Sequence, residues 1–183
     1  MDDILELYKE EIFKLAEEKK DNLFYNSSEE HATIVHQAIA KTAEHDINIL
    51  SSSLCSSISN NDDYLECMRC FFSKDSSHFV RVVLTDYNEE FQKKPIASLF
   101  REFHNQVELR RFNGVVKSDD KQVHFTYADD RMYRIETDIV KHIAFGNFNS
   151  PSRVAILASI FDKVFSRSEE LELNNWWTRN FYF

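Results

Sequence analysis

The chain has 183 residues and a formal net charge of −9, and 43% of its residues are hydrophobic. These values fit one globular domain of ordinary size and exclude a chain that is disordered throughout. The surplus of acidic residues argues against broad binding to a nucleic-acid backbone, because that affinity depends on many lysine and arginine contacts.

The first part of the sequence predicts two helices and then a strand. Residues 2–19 carry apolar side chains at helical spacing, which indicates an amphipathic helix. A second helix is predicted over 28–45, because Ser27 and Glu30 have the spacing of a capping box ahead of an apolar stripe. The alternating polar and apolar residues of 46–51 predict a strand that leads into a serine-rich loop.

The central part of the sequence predicts strands that alternate with helices and then follow one another. The predicted elements are a helix near 63–72, a strand over 79–85, a helix over 96–104, a strand over 107–112, a hairpin of 122–128 with 132–135, a strand over 142–147 and a helix over 150–166. This order predicts an α/β fold in which helices pack on the faces of a mixed β-sheet.

The end of the sequence departs from this pattern. Five aromatic residues lie close together there: Trp176, Trp177, Phe181, Tyr182 and Phe183. Large aromatic side chains commonly anchor protein interfaces, so these residues predict a partner-binding segment. The alternative is that the segment folds back onto its own sheet. We therefore expect three parts: an N-terminal amphipathic helix over 1–23, a domain over 24–167 and an aromatic C-terminal tail over 168–183.

The sequence contains no pattern typical of a metal or cofactor site. Cys67 and Cys70 have CxxC spacing, but no second cysteine pair exists to complete a zinc site. Two glycines are too few for a glycine-rich nucleotide loop. The N-terminus is acidic and no apolar run has the length of a membrane span, so we expect a cytoplasmic protein without cofactor, metal or membrane contact.

One segment, KQVHFTYADDRMYRIETDIVKHIAFGNFNS over 121–150, carries a possible catalytic motif. His124 lies on a predicted strand, Asp129 lies in the turn after it, and a Gly-Asn-Phe-Asn run follows from Gly146 to Asn149. The segment resembles the motif of the phospholipase D-like superfamily, which is His-x-Lys, Asp and then Gly-Ser-x-Asn. The residues 26–32, 48–54 and 148–162 also look like those of bacterial phospholipase D-like domains, so the resemblance covers about 24–166.

The resemblance implies a phospholipase D-like fold, present here as a single half with one motif copy. In that family a histidine attacks phosphorus, a second histidine protonates the leaving group, and lysines hold the phosphate oxygens. Thr126 stands at the lysine position of this chain, so the motif is degenerate. Arg134 is a candidate replacement cation, but Glu136 lies on the same strand face and predicts an ion pair between the two.

Three functions remain open from the sequence. The leading hypothesis is a non-catalytic binding or regulatory module that joins a larger bacterial assembly through its aromatic tail. The resemblance connects such modules with anti-phage defence and nucleic-acid handling. The partner would be another protein or a second copy of the chain, whereas the overall charge does not favour nucleic acid.

The second hypothesis is a metal-independent phosphodiesterase or nuclease formed by a homodimer, since family members with one motif build the active site by dimerisation. His124 would be the nucleophile, Asn147 and Asn149 would hold the phosphate, and Arg134 would replace the lysine. The third hypothesis is a nucleotide or small-ligand sensor, with a polar pocket that includes Ser51, Ser53, His124, Thr126 and Asn149.

Overall fold

The computed structural model describes residues 2–173, so the aromatic residues of the predicted tail lie outside the described residues. Within 2–173 the α-helices are α1 (Asp2–Glu17), α2 (Glu29–Thr42), α3 (Asp62–Lys74), α4 (Pro95–Glu102) and α5 (Pro151–Phe165). The strands are β1 (Leu23–Asn26), β2 (Asp46–Ser51), β3 (Phe79–Leu84), β4 (Val107–Arg111), β5 (Lys117–Ser118), β6 (Lys121–Gln122), β7 (His124–Ala128), β8 (Met132–Asp138), β9 (Ile143–Asn147) and β10 (Glu169–Glu170). No helix in this range is both long enough and apolar enough to cross a membrane.

Eight of the strands form one mixed sheet in the order β1-β9-β8-β7-β2-β3-β4-β10. β2, β3 and β4 are parallel, and the other neighbours pair antiparallel. The predicted α/β fold with a mixed sheet and flanking helices is confirmed. The short strands β1, β5, β6 and β10 were not predicted.

The helices divide between the two faces of the sheet. Helices α1 to α4 bury their apolar side chains on one face, against sheet residues such as Ile47, Val82 and Leu109. Helix α5 packs on the opposite face, where Phe161 contacts Phe125 and Tyr127 edge to face. Because side chains alternate along a strand, each central strand supplies both cores.

Local signals explain where α2 begins. Its N-cap is Ser28, whose hydroxyl accepts a hydrogen bond from the backbone N–H of His31 at 3.2 Å. The predicted capping residue was Ser27, so the helix begins one residue later than the capping-box spacing suggested. Glu29 and Glu30 occupy the first turn, where acidic side chains stabilise the helix dipole.

Candidate functional site

A cavity of about 100 Å³ with several polar side chains in its walls lies between the sheet and the helices α2 and α3. Its walls include the serine-rich loop after β2, the strands β7 and β8, and the turn between β8 and β9. The volume is enough for several water molecules or for one small anion. Polar side chains on this face interrupt an otherwise apolar layer, which makes the cavity the strongest candidate site of the described residues.

The structure brings together five of the residues that the sequence proposed for a site. Ser51, Ser53, His124, Thr126 and Arg134 all line the cavity. Glu136 from β8, which the sequence proposed only as an ion-pair partner of Arg134, also lines the cavity. So do three ring side chains that the sequence did not propose for a site: His36 from α2, Tyr64 from α3 and His142 from the turn before β9.

Glu136 is the centre of the hydrogen-bond network in the cavity. Its Oε1 accepts from a terminal guanidinium nitrogen of Arg134 at 3.0 Å, which confirms the predicted ion pair, and lies 3.4 Å from Nδ1 of His142. Its Oε2 lies 3.3 Å from Nδ1 of His124. Burial alone would raise the pKa of Glu136, but the hydrogen bond from His124 and the charge of Arg134 outweigh burial and lower it to about 2. Glu136 is therefore ionised at neutral pH.

Arg134 is held on both sides and is only 3% exposed. Besides the contact with Glu136, its Nε donates to Oδ1 of Asn26 at 3.0 Å. The amide of Asn26 also donates to the backbone carbonyl of His142 at 2.5 Å. Asn26 thus links the edge strand β1 to the cation and to the turn, a role that no sequence pattern indicated.

The ring of His124 is contacted at both nitrogens. Nδ1 faces the carboxylate of Glu136, so the neutral ring carries its proton there. The side-chain amide nitrogen of Gln122 lies 3.4 Å from Nε2. His124 is only 5% exposed. The lone pair of its Nε2 therefore faces the amide of Gln122 rather than solvent.

His36 offers a neutral ring to the same cavity. Loss of contact with bulk water and, after it, the positive charge of Arg134 lower the pKa of His36 to about 3. The ring centroid lies 5.8 Å from that of Tyr64. His36 therefore presents an uncharged donor and acceptor at physiological pH.

Two residues at the rim of the cavity have left-handed backbone conformations. Leu54 in the serine-rich loop has a φ of 53°, and His142 in the turn before β9 has a φ of 54°. Such conformations cost energy for residues other than glycine and concentrate at ligand-binding and catalytic sites. Their position on two separate walls of one cavity supports a functional role for it.

The two asparagines of the motif lie away from the cavity. Asn147 is the last residue of β9, whereas His142 directly precedes the first. The amide of Asn147 donates to the carboxylate of Asp21 at 2.8 Å, and the amide of Asn149 donates to the carbonyl of Lys19 at 2.9 Å. In the described residues, these asparagines attach the segment between α1 and β1 to the end of β9.

The motif acid and the motif spacing also have structural explanations. Asp129 has a φ of 52°, and its carboxylate accepts from the backbone N–H groups of Glu44 at 3.0 Å and His45 at 2.9 Å. The extra residues between His124 and Gly146 form the complete strand β8. Arg134 on β8, rather than a residue of β7, lies directly opposite Gly146.

No metal site accompanies this arrangement in the part of the chain that the structure describes. There, no group of three or more His, Cys, Asp and Glu side chains is arranged to hold a metal ion. The chemistry available in the cavity is that of one ion pair, imidazoles and hydroxyl groups.

A family model described as "Domain of unknown function (DUF7931)" matches residues 28–174. The chain belongs to this family. The matched range includes all the residues that line the cavity, and it leaves α1 and β1, with Asn26, outside. No curated protein matches the chain.

Solved structures are similar to this fold at low sequence identity. NucT from Helicobacter pylori has a TM-score of 0.59 at 12% identity, with 83% of this chain and 99% of that chain covered. Nuc from Salmonella typhimurium, described as a phospholipase D family member, has a TM-score of 0.54 at 9% identity, with 82% and 99% covered. The predicted phospholipase D-like fold is confirmed, and at these identities the likeness extends to the fold alone.

A third similar structure is that of TrmBL2, described as an archaeal chromatin protein with a novel mode of DNA binding. Its TM-score is 0.57 at 12% identity, and the match covers 91% of this chain. The chain spans 62% of the length of TrmBL2.

Proposed function

We propose that this protein is a non-catalytic phospholipase D-like module whose cavity binds a small oxyanion such as a phosphate group. The observation that carries the proposal is the double contact of His124. Its Nδ1 faces Glu136 and its Nε2 faces Gln122, so no free lone pair is aimed at a substrate.

The remaining parts of the motif support binding without turnover. Arg134 is the only cation of the cavity within residues 2–173, and Glu136 neutralises it at 3.0 Å. A transition state of phosphoryl transfer needs positive charge that is not already compensated. Asn147 and Asn149 contact the segment between α1 and β1 instead of the cavity.

The hydroxyl groups of the cavity suit an oxyanion ligand. Thr126 is 3% exposed, and no described residue hydrogen bonds to its Oγ1. The serine-rich loop brings further hydroxyls to the same wall. Hydrogen bonds from neutral donors to an anion are charge-assisted, and they are stronger than those between two neutral groups.

Thr126→Val tests the proposal because valine keeps the shape of the side chain and removes the hydroxyl. We expect the dissociation constant for inorganic phosphate, measured by calorimetry, to rise about tenfold, the order of one lost hydrogen bond. Thr33→Val is the matched control, since Thr33 is on α2 outside the cavity and its hydroxyl bonds to the carbonyl of Glu29. Equal phosphate affinity of the wild type and Thr126→Val would contradict the proposal.

The second candidate function is phosphodiester cleavage by a homodimer. It is favoured by the contact of Glu136 with Nδ1 of His124, because this contact selects the tautomer in which Nε2 could act as a nucleophile. We expect no cleavage of a simple phosphodiester such as bis(p-nitrophenyl) phosphate by the purified protein. Cleavage that His124→Ala abolishes would establish the enzyme and reject the non-catalytic module.

The role of the module in a larger bacterial assembly extends the same proposal, with anti-phage defence or nucleic-acid handling as its setting. The predicted contact residues are Trp176, Trp177, Phe181, Tyr182 and Phe183, which lie outside the described residues. Removal of 174–183 is expected to abolish co-purification with the partner protein and to leave phosphate affinity unchanged. A chain truncated after residue 173 keeps β10, in which Glu169 forms an ion pair with Arg111 of β4, so the truncation does not remove a strand of the sheet. Undiminished co-purification of the truncated chain would reject the tail as the docking segment.

A further inference from the structure

The charges of the cavity balance before any ligand binds. Arg134 contributes one positive charge and Glu136 one negative charge, 3.0 Å apart. Because the pKa of Glu136 is lowered to about 2 and that of His36 to about 3, Glu136 stays charged and His36 stays neutral near pH 7. An anion that enters therefore meets no uncompensated positive charge, and the burial of an unpaired charge is costly.

His142 is the group in the cavity best placed to supply a compensating charge. Its Nδ1 lies 3.4 Å from Oε1 of Glu136, and its side chain is 28% exposed, so protons can exchange with water. No described residue hydrogen bonds to its Nε2. His124 differs, because its Nε2 faces the amide nitrogen of Gln122 and has no room for a second proton without a flip of that amide.

The backbone holds the ring of His142 in this position. Its φ of 54° directs the turn, and its carbonyl oxygen accepts from the amide of Asn26. Since Asn26 also accepts from Nε of Arg134, one side chain links the cation to the backbone of the turn that carries His142. The ring of His142 thus contacts the carboxylate of Glu136, and both residues line the cavity.

We infer that oxyanion binding in this cavity is coupled to the uptake of one proton by Nε2 of His142. This inference rests on the proposed function. The other titratable or charged groups around the cavity are Arg134 and Glu136 from β8, His124 from β7, His36 from α2, Tyr64 from α3 and Cys55 from the serine-rich loop. The anion-bound state holds one more proton than the free state, so affinity falls as pH rises.

Sulfate is a suitable probe because, unlike phosphate, it does not titrate near neutral pH. We expect the dissociation constant of the wild-type protein for sulfate, measured by calorimetry at constant ionic strength, to rise by up to about tenfold per pH unit between about pH 6 and 8. In His142→Asn the dissociation constant should not depend on pH between about 6 and 8, since asparagine has no titrating group and tolerates the left-handed conformation. His104→Asn, which changes an exposed histidine outside the cavity, should keep the wild-type pH dependence.

The possible outcomes separate this inference from the function on which it rests. Sulfate binding with one pH-independent affinity in the wild type would overturn the proton coupling and leave the anion-binding module standing. Absence of sulfate binding at every pH would overturn both. If His142→Asn fails to fold, ¹⁵N NMR of the imidazole in the wild-type protein tests the coupling instead. Addition of sulfate should then move the ¹⁵N chemical shift of Nε2 of His142 to that of a protonated nitrogen. An unchanged shift would overturn the coupling.

Discussion

Gly146→Ala is expected to lower the free energy of unfolding by about 3 kcal/mol, because the backbone of β8 leaves no room for a side chain. An added Cβ would lie within 3.0 Å of the carbonyl oxygen of Tyr133 and of the ring of Phe24. Tyr133 belongs to the neighbouring strand β8, and the Phe24 ring packs on Phe148 at 4.8 Å, so neither can retreat easily. Urea unfolding followed by circular dichroism measures the loss.

Gly114→Ala is the matched control for this prediction. The Cβ added there would meet the ring of Phe112, a partly exposed side chain that can rotate away. We expect the loss at position 114 to stay below about 1 kcal/mol, since surface substitutions that a flexible neighbour can absorb cost little. Equal losses at both glycines would show that β8 and β9 are not packed as described. The glycine of the motif would then need a functional explanation.

Asp129→Ala is expected to lower the free energy of unfolding by about 3 kcal/mol. The change removes a charged acceptor from the backbone N–H groups of Glu44 and His45. It also places alanine, which has no polar side chain to hydrogen-bond locally, in a left-handed conformation that aspartate tolerates better. Thermal and urea unfolding both report the loss. Asp129, the acid of the motif, is thus a structural anchor of the loop between α2 and β2.

Two controls separate this anchoring role from a general effect of charge. Asp129→Asn keeps an acceptor oxygen and tolerates the left-handed conformation, so we expect it to cost only about 1 kcal/mol. Asp130→Ala changes the exposed neighbouring carboxylate and should stay within about 0.5 kcal/mol of the wild type. A loss at Asp130 as large as that at Asp129 would contradict the anchoring role.

The fold could be predicted from the sequence because its long elements carry strong periodic signals. The hydrophobic stripe of α2 and the β-branched run of β3 indicate their structures from local spacing alone. The strands β1 and β10 could not be predicted in this way. They have four and two residues, and they exist through pairing with β9 and β4.

The candidate site could be predicted in part, for a related reason. Ser51, His124, Thr126 and Arg134 lie on neighbouring strands, so the sheet order brings them together. Asn26 is distant in sequence, and its contact with Arg134 forms only when β1 joins the sheet.

The order of the motif residues in the sequence did not predict their positions in the sheet. His124 lies on β7 and Gly146 on β9, and β8 lies between these two strands. The asparagines that follow Gly146 therefore lie at the far end of β9, away from the cavity.

The most direct test of the proposed function is a crystal structure of the full chain soaked with tungstate, a tetrahedral oxyanion that anomalous scattering locates without ambiguity. Binding in the cavity predicts a single strong peak within hydrogen-bond distance of the hydroxyl of Thr126 and on the same side as Arg134 and His142. A cavity that holds only water, or a peak that lies instead beside Asn147 and Asn149, would contradict an oxyanion-binding module built on this cavity.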